Sequence, residues 1–97
     1  MKALFISFNQ AYNEEIIELL EENGQRGFTL WEDIEGRGSV DGKPHMGSHG
    51  WPEQNHAILS MVDDDKVRPI LESVRKKDAE APDLGLRAFV WNIEMFY

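Results

Sequence analysis

The sequence predicts a single α+β domain, and three observations lead there. Runs with strand and helix periodicity follow one another in the order β-α-β-β-α-β, one long glycine-studded stretch separates the two middle strands, and the strands are apolar at both parities. A chain of 97 residues supports one modest core, so residues 1–97 are expected to form one unit.

Residues 2–8 alternate loosely and are rich in Phe, Ile and Leu, which marks a first strand. Asn9 or Asn13 then offers a helix cap, with Glu14 and Glu15 near the positive end of the helix dipole. Ile16, Ile17, Leu19 and Leu20 make one apolar face, and Asn23-Gly24 supplies a left-handed stop. Residues 28–34 form a second strand with Trp31 in its middle, and residues 57–62 a third; two strands flanking one loop read as an extended hairpin. Asp63, Asp64 and Asp65 begin a second helix whose face is Val67, Ile70, Leu71 and Val74. Proline is harmless only in the first turn of a helix, so this one is expected to start near Asp65 or to bend at Pro69. Arg75, Lys76 and Lys77 fall in its last turn, where cations offset the dipole, and solvated helix charge is a plainer reading of them than a binding role. Pro82 and Gly85 mark a turn, and residues 86–95 are a fourth strand. Right-handed crossovers in both βαβ halves give a ferredoxin-like fold, a four-stranded antiparallel sheet with two helices on one face.

A sheet covered on one side only shows apolar residues at one parity. Here Leu4, Ile6 and Phe8 are matched by Ala3 and Phe5, and Phe89, Trp91 and Ile93 by Ala88 and Val90. Each such side chain is worth about 1.5–3 kcal/mol when buried. The open face is therefore expected to be covered by other copies of the chain, the alternative being uneven alternation in a monomer. Trp31 and Trp91 are expected in core or interface packing.

Acidic residues outnumber basic ones by 18 to 10, for a net charge of −8, which makes nucleic acid a poor partner. The absence of cysteine removes disulfides, thiolate metal sites and cysteine nucleophiles, and fits a cytoplasmic setting. No run approaches the roughly twenty apolar residues of a membrane span, so direct membrane insertion is not expected. No nucleophile elbow and no carboxylate pair of fixed separation is present, so the chain is not expected to be an enzyme.

The stretch 37–55 is long for a loop in so short a chain, and long loops in compact domains are generally functional. Its chemistry is concentrated in Asp41, His45, His49, Trp51, Glu53 and His56, a set whose imidazoles and carboxylates suit zinc, copper or nickel. His45 and His49 are the candidate metal ligands; solvated loop histidines are the alternative. Gly36 and Gly38 suit either a phosphate or bicarbonate cradle with Arg37 as counter-charge, or a plain turn. Trp51, beside Pro52 in a polar stretch, suits a partner anchor or packing of the loop onto the body.

Arg26-Gly27-Phe28-Thr29 followed by Ile34-Glu35-Gly36-Arg37-Gly38 resembles the second strand and loop start of the P-II nitrogen regulatory proteins, a pattern of the form G-[MI]-T-x-x-x-[VI]-x-G-x-G. The likeness continues through Ile58-Leu59-Ser60-Met61-Val62-Asp63-Asp64 and Val67, and into Arg87-Ala88-Phe89-Val90, so that it covers nearly the whole chain. The resemblance implies a homotrimer whose sheets face a central axis, an adenine nucleotide in the cleft between subunits, and a loop that contacts a regulated partner, a membrane transporter or an enzyme; bicarbonate is the other candidate ligand, for the Gly36 and Gly38 cradle. Matched position by position, it implies ligand-binding roles for Thr29, Gly36, Arg37, Gly38 and Arg87; on the loop 37–55, the partner-contact element of the family, Lys43, His45 and Trp51 are the candidate partner contacts. The chain departs from the family at residues 81–87, where Ala-Pro-Asp-Leu-Gly-Leu-Arg stands in place of a T-G-x-x-G-D-G-K loop, and a basic C-terminal arm closing over the ligand is not expected. A divergent P-II-like regulator is the first reading. The second is a divalent-metal-binding protein, similar to the CutA proteins of the same trimeric architecture, using the loop histidines.

Overall fold

The computed structural model describes residues 1–35 and 54–97. Its elements are strand β1 (Lys2–Asn9), helix α1 (Asn13–Glu22), strands β2 (Thr29–Ile34) and β3 (Asn55–Val62), helix α2 (Asp64–Glu80) and strand β4 (Arg87–Asn92), with single 3₁₀ turns at Gln10–Tyr12 and Pro82–Leu84. The strands form one sheet in the order β2-β3-β1-β4, and every neighbouring pair is antiparallel. This is the ferredoxin-like arrangement expected from the element order.

Local chemistry explains the boundaries. Asn9 stays extended and its side chain accepts from the Ala11 amide at 2.8 Å, so it caps the 3₁₀ turn rather than α1, which begins at Asn13. At the other end Gly24 adopts φ +77°, its amide bonds to the Glu21 carbonyl at 2.9 Å, and the Gln25 amide bonds to Leu20 O at 2.9 Å. These two bonds close the last turn in the manner of a Schellman motif, the left-handed stop foreseen at Asn23-Gly24. Helix α2 starts one residue before the expected Asp65 and runs through Pro69 to Glu80, with Asp64 and Asp65 in its first turn.

The core lies between the helices and one face of the sheet. Leu4, Ile6, Phe8, Ile58 and Val62 from the sheet meet Ile16, Leu19 and Leu20 of α1 and Ile70 and Val74 of α2, with Leu86 closing one end. Val67 and Leu71 are partly buried against this cluster, so the α2 face is the one its spacing predicted. A buried polar knot ties the start of β2 to β3: Gln25 Nε2 donates to Ser60 Oγ at 2.8 Å and to the carbonyls of Gly27 and Met61 at 3.0 Å, while Ser60 Oγ donates to Gly27 O.

Two expectations change. Strand β4 ends at Asn92, not at residue 95, because β1 offers it partners only as far as Lys2, which pairs with Asn92. Strand β3 begins at Asn55, so His56 is a strand residue and not part of the loop; its ring is buried edge-on against Phe8, with centroids 5.8 Å apart.

Candidate functional site

Register sorts the sheet into rows. Leu30, Ile58, Ile6 and Ala88 make one row on the helix side. On the other side, Trp31, Ala57, Ser7 and Arg87 make a row, Thr29, Leu59, Phe5 and Phe89 the next, and Met61, Ala3 and Trp91 a third. This second face carries large apolar side chains in the open: Trp31 is 45% exposed, Met61 45%, Phe89 56% and Trp91 50%. The two tryptophans are thus not core residues of the single chain. An apolar cavity of about 550 Å³ continues the face between Leu59, Met61, Trp91 and the segment after β4. Contiguous exposed apolar surface of this kind marks an interaction face.

The sequence-derived ligand residues fall on its margins. Thr29 opens β2 and Arg87 opens β4, and these strands are the two opposite edges of the sheet. Three strand spacings separate them, about 14 Å, so one chain does not bring the two side chains together. The Arg87 guanidinium turns toward α2, where Nη1 lies 3.5 Å from Asp78 Oδ1 and donates to Leu86 O at 2.6 Å. It flanks an open groove of about 330 Å³ between α2 and β4, which Arg75 and Asp78 line from the helix and Leu86 and Ala88 from the strand side. Asp78 is thus the local counter-charge that any anion reaching Arg87 has to displace. Its pairing was not readable from the sequence, since the two residues lie on different elements joined by a turn.

At the far end of β2 the ladder carries one extra residue. Trp31 opposes Ala57 and Ile34 opposes Asn55, and within this bulge Asp33 adopts φ +55°. Asp is among the side chains that tolerate this left-handed region best, and a bulge re-aims the residue it holds. The Asp33 carboxylate comes to 3.6 Å from His56 Nε2, while His56 Nδ1 lies 2.9 Å from Asn13 Oδ1 at the start of α1. Sequence reasoning grouped His56 with the loop histidines and missed both partners; an aspartate inside an otherwise extended run is the one signal that pointed there. Close by, Asn55 Oδ1 is buried with no hydrogen-bond partner among the described residues.

Gly36, Arg37, Gly38, Asp41, Lys43, His45, His49, Trp51 and Glu53 lie outside the described residues. Among the described residues no three His, Asp or Glu side chains gather as they would around a metal ion. No helix among them is long and apolar enough to cross a membrane.

The fold and this face define a class: a ferredoxin-like domain with one sheet face uncovered and candidate ligand side chains at both sheet edges. The chain belongs to the P-II family, for the family model of nitrogen regulatory protein P-II matches it over residues 1–97. Among solved structures it is similar to CPII, a nitrogen regulatory PII-like protein from Thiomonas intermedia K12, in a form bound to ADP and bicarbonate, with a TM-score of 0.77 and 28% identity over 95% of this chain and 84% of that one. A second CPII structure, bound to ADP, AMP and bicarbonate, superposes with a TM-score of 0.79 at 24% identity, covering 95% of this chain and 84% of that one. A PII-like protein from Thermus thermophilus shares the fold with a TM-score of 0.66 at 21% identity, again over 95% of this chain and 84% of the other. No curated protein sequence matches the chain.

Proposed function

We propose that this protein is a homotrimeric P-II-like regulator that binds an adenine nucleotide and bicarbonate in the clefts between its subunits. The observation that carries the reading is the division of the candidate ligand residues between the two sheet edges, with an uncovered apolar face between them. A cleft formed where the β2 edge of one copy meets the β4 edge of the next unites what a single chain keeps apart. The bound ADP, AMP and bicarbonate of CPII supply the ligand class.

In this reading Arg87 exchanges its exposed pairing with Asp78 for a ligand phosphate, a charge-assisted contact that gains in strength once the cleft excludes water. Thr29 provides a hydroxyl beside the ligand from the facing copy. Gly36, Arg37 and Gly38, next in sequence after β2, supply backbone N–H groups and a counter-charge, and the stretch 37–55 engages a partner protein, a membrane transporter or an enzyme, through Lys43, His45 and Trp51. The role is signalling in the cytoplasm and not catalysis.

Isothermal titration of the whole protein with ADP, AMP and bicarbonate, singly and together, is the test. Binding of a nucleotide is expected, weakened at least about tenfold by Arg87→Ala, the loss of one charge-assisted contact. Absence of heat from every one of these ligands overturns the reading.

A further inference from the structure

We infer that Asp78 is a positioning residue of the proposed cleft: its carboxylate draws the Arg87 guanidinium round to α2 and competes with the ligand for it, so that nucleotide binding is weaker than the cleft would otherwise give. The inference rests on the function proposed above, which places Arg87 beside the ligand. Register sets where the Arg87 side chain starts. It shares a row with Ser7, Ala57 and Trp31 on the uncovered side of the sheet, while its neighbours Leu86 and Ala88 pack into the core beneath the helices. Its head nevertheless ends beside α2, where Nη1 lies 3.5 Å from Asp78 Oδ1 and donates to Leu86 O at 2.6 Å. Arg87 opens an edge strand, with no further strand of this chain beside it, so its long stem is able to wrap round the edge.

Asp78 is the one acidic group within 4.0 Å of the Arg87 guanidinium among the described residues. Arg75, the other guanidinium of the groove, is matched by Glu72, to which it donates from Nε at 3.3 Å. The groove between α2 and β4 is thus electrically paired before any ligand arrives, and an anion reaches Arg87 only by breaking a pair. The helix itself gives no reason for a carboxylate at this position. Asp78 lies in the last turn of α2, which ends at Glu80; aspartate is a poor helix former, and the negative end of the helix dipole repels an acidic side chain. A residue that breaks a local rule while contacting a candidate ligand residue is expected at a functional site. Arg87 is 45% and Asp78 34% exposed, so solvent screens the pair and its effect is to tune affinity, not to switch it.

The test combines isothermal titration with ADP and thermal unfolding without ligand, on the full chain and its variants. Asp78→Ala is expected to bind ADP about two- to fivefold more tightly, the range set by an exposed ion pair, with a thermal midpoint equal to or above that of the unmodified protein. Asp78→Glu keeps a carboxylate beside Arg87 and should restore the unmodified affinity. In an Arg87→Ala background, Asp78→Ala should lose its effect on binding. Unchanged or weaker binding in Asp78→Ala, whether or not the midpoint falls, overturns the inference and leaves the proposed function standing. A gain that persists without Arg87 also overturns it, since the carboxylate then acts on the ligand directly. Heat from ADP in none of these proteins removes both readings together.

Discussion

At the scale of single residues, the exposed and half-buried charges differ in what they do. Lys77 reaches from α2 to Glu15 of α1 at 2.8 Å and lies 5.6 Å from the centre of the Tyr12 ring. The hydrogen bond that Lys77 donates to Glu15 raises the Lys77 pKa, and burial raises that of the Tyr12 hydroxyl. Both shifts have the same sign for stability. A folded value above the unfolded one means the contribution is complete below the ordinary lysine and tyrosine values and is lost as the pH climbs through the raised ones. Stability is therefore expected to be level through neutrality and to fall in alkaline solution above about pH 10. Lys77→Met should cost no more than about 1 kcal/mol at neutral pH and flatten the alkaline fall, as read from denaturant midpoints at several pH values. Arg75, by contrast, pairs with Glu72 one turn back on the same exposed helix face. It is a solvated helix charge as expected, but α2 runs on to Glu80, so of Arg75, Lys76 and Lys77 only Lys77 falls in the last turn.

At the scale of elements, nearly every strand and helix was legible in the sequence, because each pairs one clear period with one clear stop. Helix α1 is the plainest case: its face of Ile16, Leu19 and Leu20 is buried and its stop at Gly24 takes the left-handed conformation the Asn-Gly pair implied. What the sequence hid is pairing between elements. The Gln25 amide buried against Ser60, the bulge at Asp33 and the pairing of Arg87 with Asp78 each join residues from different elements, and polar residues carry no period that announces their partners. His56 was misplaced for the same reason, since a histidine next to a polar stretch looks solvated until a strand claims it. Thr29 and Arg87 were read as candidate ligand residues, but not their separation, which follows from strand order. Pro69 marks the one place where local preference and tertiary context disagree. It lies inside α2, where it withholds an N–H from the helix ladder, and Ser73 Oγ donates to its carbonyl at 3.0 Å. The packing of Val67, Ile70, Leu71 and Val74 holds the helix through it. Pro69→Ala is expected to stabilise the protein by about 1–2 kcal/mol, the helix gain less the freedom returned to the unfolded chain. Thermal unfolding would read this as a higher midpoint, and a lower one would mean that the proline is needed where it stands.

At the scale of the whole molecule, two faces of one sheet have different fates. The helix side is closed by α1 and α2, while the other presents Trp31, Met61, Phe89 and Trp91 to its surroundings. Burying an aromatic of this size is worth about 1.5–3 kcal/mol per copy, which is why the chain is expected to associate through this face and so create the clefts proposed to unite the candidate ligand residues at its edges. Phe89→Glu places a charge in the middle of that contact and is expected to weaken association by at least about tenfold, with an unchanged circular dichroism spectrum, since Phe89 takes no part in the core beneath the helices. Sedimentation equilibrium of the unmodified protein at micromolar concentration tests the central claim most directly. The account predicts a single species with three times the mass of one chain; a species with the mass of one chain contradicts it.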